Sequence, residues 1–133
     1  MNDLAESVAH AFVRAINRQD EKALAELMTV EHRFTDSMGN VVEGCEAMRV
    51  AWAKYFRMVP DYTVAIEETF CDGPVVVMLG MVQGTYSTDG QLRSENHWST
   101  PAALRAFIED QKVAEWRVFC DNEPMRRLVA KSG

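Results

Sequence analysis

The sequence predicts an α+β fold in which helices pack on one face of a curved antiparallel sheet. Two observations carry that expectation. Through the first 60 residues apolar side chains recur mostly at three and four positions, with one short period-two stretch, and from residue 61 to 121 the period is two. Turn signals at Asp72-Gly73-Pro74, Asp89-Gly90 and Asp110-Gln111 cut the second half into segments of strand length.

Taken in order, residues 3–18 read as a helix. Leu4, Val8, Ala11, Phe12, Ala15 and Ile16 form its apolar stripe, and Asn2 or Asp3 stands where a cap is needed. Asp20 has the position of an N-cap for a second, shorter helix with Ala23, Leu24, Leu27 and Met28 on its apolar side. From Val30 the period becomes two, setting Val30, His32, Phe34 and Asp36 on one strand face. After the Met38-Gly39-Asn40 turn, a helix from about Glu43 to Val59 carries Met48, Trp52, Tyr55, Phe56 and Val59 at helical spacing, and Pro60 ends it.

Residues 61–71 alternate as a half-buried strand, with Tyr62, Val64, Ile66, Glu68 and Phe70 on one face. The next run, VVVMLGMVQGTYS, is apolar on both faces and suits a central strand, in which Gly80 and Gly84 leave space above the sheet. Residues 101–121 form a hairpin about a two-residue Asp110-Gln111 turn, opposing Ile108 to Val113, Ala106 to Glu115, Leu104 to Arg117, Ala102 to Phe119 and Thr100 to Asp121 on one face. Trp116, Val118 and Phe107 then share the other face. Residues 123–130 add a last helical turn or two.

Composition bounds the function. The 133 residues are 47% hydrophobic and 26% charged, enough for one domain with a core of its own. A formal charge of −6 without a basic run excludes non-specific nucleic-acid binding. No stretch approaches the roughly 18 apolar residues of a membrane span, and MNDLAESVAH lacks the features of a signal peptide, so the expected location is cytoplasmic. Cys45, Cys71 and Cys120 are widely spaced and read as reduced thiols.

On its motifs the chain resembles the SnoaL-like polyketide-cyclase group of the superfamily named after nuclear transport factor 2, which also includes ketosteroid isomerase and limonene epoxide hydrolase. The residues that carry the resemblance are Asp20-x-x-x-Leu24, Phe34-x-Asp36-x-x-Gly39, Glu43-Gly44 and Trp52-x-x-Tyr55-Phe56 with Pro60-Asp61. Lys112-Val113-x-x-Trp116-Arg117-x-Phe119-x-Asp121 closes the pattern. The resemblance implies one SnoaL-like domain over residues 1–133 with the cystatin-like fold, a cone-shaped α+β barrel whose strongly bent antiparallel sheet wraps around three N-terminal helices. It further implies a mostly apolar pocket for a small molecule and a homodimer through the outer sheet face, here Trp116, Val118 and Phe107.

Residue by residue, Asp36 matches the general base of ketosteroid isomerase, and as a simple turn residue it would brace Met38-Gly39. Asp121 matches the acid/base of the cyclase group. The isomerase's two oxyanion donors fall on Phe12 and near Leu104, which supply none, and the Arg-x-Asp pair of the epoxide hydrolase is missing from a strand that offers Gly80, Val82, Gln83 and Gly84. Arg117 would hold an anionic ligand group or pair with Asp121, Glu115 or Asp36. His32 lies about 13 Å along the strand from Asp36, too far for a direct hydrogen bond, and reads either as a catalytic group or as a core-edge histidine. His97 has no settled facing.

The expected site therefore comprises Asp121, Asp36 and His32 as catalytic candidates, with Arg117, Phe119, Trp52, Tyr55, Phe56, Trp98, Met78 and Leu104 binding the substrate. The aromatic side chains are core first and pocket lining second. No metal-ligand spacing is present and no cofactor is expected. The function that follows is cofactor-free isomerisation, cyclisation or dehydration of an apolar, carbonyl-bearing molecule by proton transfer, or ligand binding or dimerisation without catalysis.

Overall fold

A computed structural model describes residues 3–132. Four helices and six strands follow one another as α1 (Asp3–Asn17), α2 (Glu21–Glu26), β1 (Met28–Thr35), β2 (Val41–Glu43), α3 (Cys45–Met58), β3 (Thr63–Asp72), β4 (Val75–Thr85), β5 (His97–Glu109), β6 (Lys112–Cys120) and α4 (Glu123–Ser132). The strands form one sheet in the order β2-β1-β6-β5-β4-β3. The mixed α+β class is as the sequence predicts, and the curved sheet stays unclosed, with β2 and β3 as its edges.

Local chemistry accounts for most boundaries. Asp20 caps α2, its Oδ1 accepting from the Ala23 N–H at 3.0 Å. The expected cap at Asn2 lies outside the described residues, as does the side chain of Asp3. Asn17, at the end of α1, pins the helix to β3 by donating to the Val64 carbonyl and accepting from the Val64 N–H. The β5–β6 hairpin turns on Asp110 and Gln111, both at positive φ (52° and 63°), as a two-residue type I′ turn requires. Two elements differ from expectation: β2 is a three-residue strand where a helix start was read, and α4 runs for ten residues.

The larger corrections come from bulges. Ile108 opposes Val113 as expected, but the register then shifts, so that Phe107 opposes Glu115, Ala106 opposes Trp116 and Leu104 opposes Val118. Ala114 is the extra residue, and beyond it the facing of β6 is opposite to the expected one. Trp116 is buried in the core at 1% exposure and Val118 also faces inward, so neither lies on the outer sheet face, where Phe107 does lie. A second bulge between Ile66 and Glu68 turns Glu68 and Phe70 outward, leaving Phe70 exposed and Thr69 facing inward. His10, expected to face solvent, bonds Thr69 Oγ1 through Nε2 at 3.0 Å.

Helices α1 and α3 lie on the concave side. The core gathers Phe12 and Ile16 from α1, Leu24 from α2, and Met78, Leu104 and Trp116 from the sheet. Gly80 and Gly84 do not leave open space. A Cβ at Gly80 would collide with the Ala65 carbonyl carried inward beside the β3 bulge, and one at Gly84 would meet Val59 Cγ1.

Candidate functional site

A cavity of about 660 Å³ lies between α3, the concave face of the sheet and α4. Helical spacing puts Met48, Trp52 and Tyr55 on one side of α3, and they form its first wall with Met58 and the nearby Tyr62. The sheet contributes Phe34, Val82, Trp98, Val118 and Cys120. Met125, Arg126 and Val129 of α4 lie across one side, and the rim carries Asp36, Ser37, Asp121 and Asn122. Its size is that of a site for a small organic molecule.

The aromatic wall is continuous. Phe34 meets Trp52 edge-on (6.3 Å between centroids), Trp52 meets Tyr55 (6.3 Å), Tyr55 meets Tyr62 (5.1 Å) and Tyr62 meets Trp98 (6.1 Å). Burial pushes the phenols of Tyr55 and Tyr62 well above their ordinary range, with Cys120 adding to both and Tyr55 adding to Tyr62, so both stay neutral. Burial also raises the Cys120 thiol, against a hydrogen bond from Ser37 and with the Asp121 charge pushing the same way. The raised pKa favours the thiol form of Cys120 over the thiolate. The indole nitrogens of Trp52 and Trp98 are buried with no hydrogen-bond partner among the described residues.

The carboxylates sit at the rim. Asp36 braces its turn: Oδ1 accepts from the N–H groups of Met38 (2.8 Å) and Asn40 (2.9 Å), and Oδ2 from Asn40 Nδ2 (3.2 Å). Both of its oxygens are engaged. Asp121 follows the end of β6 and is exposed; its Oδ1 accepts from the Glu123 N–H at 3.0 Å, while Oδ2 makes no hydrogen bond with the described residues. Of the two, Asp121 has the freer proton acceptor.

Of the expected site residues, the fold brings Asp36, Asp121, Trp52, Tyr55 and Trp98 to the cavity, and it leaves the others elsewhere. Arg117 and Phe119 lie on the outer face because Ala114 shifts the register, with the guanidinium 4.7 Å from the Phe119 ring centroid. Met78, Leu104 and Phe56 are core residues outside the cavity lining. His32 is completely buried against Phe12, its Nδ1 bonded to the Val113 carbonyl at 2.7 Å, and burial lowers its pKa. It is a neutral core histidine. Phe12, at a ketosteroid isomerase donor position, is likewise fully buried. His97 is exposed and bonds Thr85 Oγ1 (3.1 Å), which donates to Asp61 Oδ2 (2.8 Å), away from the cavity.

Sequence reasoning missed α4 as a wall of the site. Its signal was present in Pro124 within a first helical turn and in Met125, Leu128 and Val129 at three-four spacing. No group of three or more His, Cys, Asp or Glu among the described residues is arranged to hold a metal ion. Nor is any helix of these residues long and apolar enough to cross a membrane.

The model of the SnoaL-like domain family matches residues 9–116. Among solved structures, a protein assigned as a SnoaL-like polyketide cyclase from Shewanella denitrificans superposes with a TM-score of 0.81 at 17% identity, over 96% of this chain and 97% of that one. An uncharacterised cystatin-fold protein from Novosphingobium aromaticivorans is 26% identical, with a TM-score of 0.72 over 90% and 98% of the two chains. A LEH-like epoxide hydrolase of M. tuberculosis gives 0.78 at 13% identity over 96% and 90%. None of the curated proteins is a significant match to the chain.

Proposed function

We propose that this chain, which belongs to the SnoaL-like domain family, binds an apolar, carbonyl-bearing small molecule and shifts a proton next to its carbonyl without a cofactor. The observation that supports this reading is the aromatic cavity of about 660 Å³ with a carboxylate, Asp121, at its rim. In this scheme the carbonyl end enters the cavity and Asp121 Oδ2 takes a proton from the adjacent carbon. The same carboxyl returns the proton at a second carbon, completing an isomerisation, or assists ring closure or loss of water. Asp36 has no free oxygen for this role and holds the rim in shape.

A second reading, a ligand-binding module without catalysis, is favoured by the same engagement of Asp36 and by the outward position of Arg117. Asp121→Asn separates the two. Under the catalytic reading, turnover of a β,γ-unsaturated ketone falls at least a hundredfold while ligand-induced thermal stabilisation persists. Turnover unchanged by the substitution would remove Asp121 from the mechanism, and ligand binding without measurable turnover in the unmodified protein would favour the binding module.

We also propose a cytoplasmic homodimer. Its contact is the outer sheet face, where Phe107, Phe119 and Phe70 take the place of the expected Trp116 and Val118. Cys45 and Cys120, which form no disulfide among the described residues, suit a reducing compartment.

A further inference from the structure

Resting on the reading that Asp121 moves a proton beside a carbonyl in this cavity, we infer that the phenol hydroxyls of Tyr55 and Tyr62 are the donors that hold the carbonyl oxygen as it becomes an enolate. When Asp121 Oδ2 takes the proton, the electron pair of the broken C–H bond forms a C=C bond and the C=O electrons move to oxygen. That charge needs donors fixed in place where water is excluded. The donor positions of ketosteroid isomerase offer none here, since they fall on Phe12 and near Leu104, both buried apolar side chains.

Tyr55, on α3, and Tyr62, just before β3, line the cavity and meet edge-on at 5.1 Å between ring centroids. Neither hydroxyl hydrogen-bonds to a described residue, yet neither is closed off in the protein as the indole nitrogens of Trp52 and Trp98 are. Both O–H groups therefore open on the cavity. The thiol of Cys120 links them to the base: it acts on both phenols and itself feels the charge of Asp121, its chain neighbour. Phenols and carboxylate thus border the same part of the cavity, and burial keeps both phenols protonated as donors.

The other donors of the lining stand farther out. Because the carbonyl end enters first, its oxygen lies inward of the carbon that faces Asp121, whereas Ser37 and Asn122 share the rim with that carboxylate. Arg126 is the one cation of the lining. Its side chain is 61% exposed and its Nη1 lies 3.5 Å from Glu123 Oε2, so it answers an acidic neighbour in solvent.

The step is read by the exchange of the α-hydrogens of tetralone, a two-ring ketone, for deuterium in heavy water, catalysed by the full-length protein and followed by proton spectra. Tyr55→Phe and Tyr62→Phe remove one hydroxyl each and keep the ring. Each is expected to lower kcat for exchange about tenfold or more with KM within about threefold, and the double variant about a hundredfold. Arg126→Gln is expected to lower it less than either. In the unmodified protein the carbonyl stretch of bound, isotope-labelled tetralone should lie below its value in hexane, and it should move back up in both variants.

Exchange that survives both Phe substitutions, a larger loss from Arg126→Gln, or a carbonyl stretch at its hexane value would overturn the role of the phenols and leave Asp121 in place. If the unmodified protein exchanges nothing, or Asp121→Asn exchanges as fast, the proton-transfer reading itself fails and the role of the phenols falls with it. The carbonyl stretch in the unmodified protein decides if a variant does not fold.

Discussion

Toward the β5–β6 turn, Phe12 reaches in from α1 to lie 4.6 Å from Trp116 and 6.1 Å from His32, and that end is solid. Toward the opposite end of the same strands, Trp98 meets Tyr62, Tyr62 meets Tyr55 and Tyr55 meets Trp52 in ring contacts of similar length, and that end borders the cavity. Residue type does not make the difference. At the solid end α1 fills the concavity, whereas at the hollow end α3 forms one wall and α4 only lies across the side. An aromatic side chain is core where a helix packs opposite it and lining where none does.

The comparison is tested most severely by truncating one tryptophan at each end. Trp116→Ala is expected to destabilise the protein by about 3–5 kcal/mol, the range for a large aromatic lost from a packed core. Trp98→Ala, which widens an existing cavity, is expected to cost clearly less. Urea unfolding of both variants measures the difference, and equal losses would mean that the two ends are packed alike.

Removal of residues 123–133 probes the hollow end from its other side. The truncated chain should stay folded, because α4 packs against β5 and adds few fully buried side chains. Its affinity for an apolar, carbonyl-bearing probe such as the two-ring ketone tetralone should fall by about tenfold, the loss of roughly 1.4 kcal/mol of contact. Unaltered affinity would show that α4 is not a wall of the binding site.

At the solid end His32 supplies the smallest effect. Its folded-state pKa lies below the ordinary 6.5 because burial disfavours the imidazolium. The unfolded chain therefore binds the proton first as pH falls. Stability is full above 6.5 and declines below it until the folded protein also takes up the proton, with a slope of at most about 1.4 kcal/mol per pH unit. His32→Gln, which keeps a donor for the Val113 carbonyl, should flatten stability between pH 7 and pH 5. An unchanged slope would place the titration elsewhere.

The same two ends explain why the site was only partly legible. Trp52 and Tyr55 were placed correctly because helical spacing fixes which side of α3 they share, whatever lies opposite. Arg117 and Phe119 were misplaced because an alternating pattern carries no mark of an extra residue in the pairing. Trp116-Arg117-Val118-Phe119 offers an apolar side chain to either face, so the pattern could not choose. His32 looked chemical because a histidine on an inward strand face has the same spacing whether it borders a cavity or a core.

By itself, then, the amino-acid sequence determined what acts over a few residues: the period of most elements, the Asp20 cap, the Asp110-Gln111 turn and, apart from β2, the order of helices and strands. Those depend on backbone geometry and on hydrogen bonds between near neighbours. The tertiary structure decided which face of β6 meets the core, through the bulge at Ala114, and whether Trp98 would be packed or left lining a cavity. Both depend on strand curvature and on the helix that comes to lie opposite, contacts between residues far apart in the chain that no local pattern records.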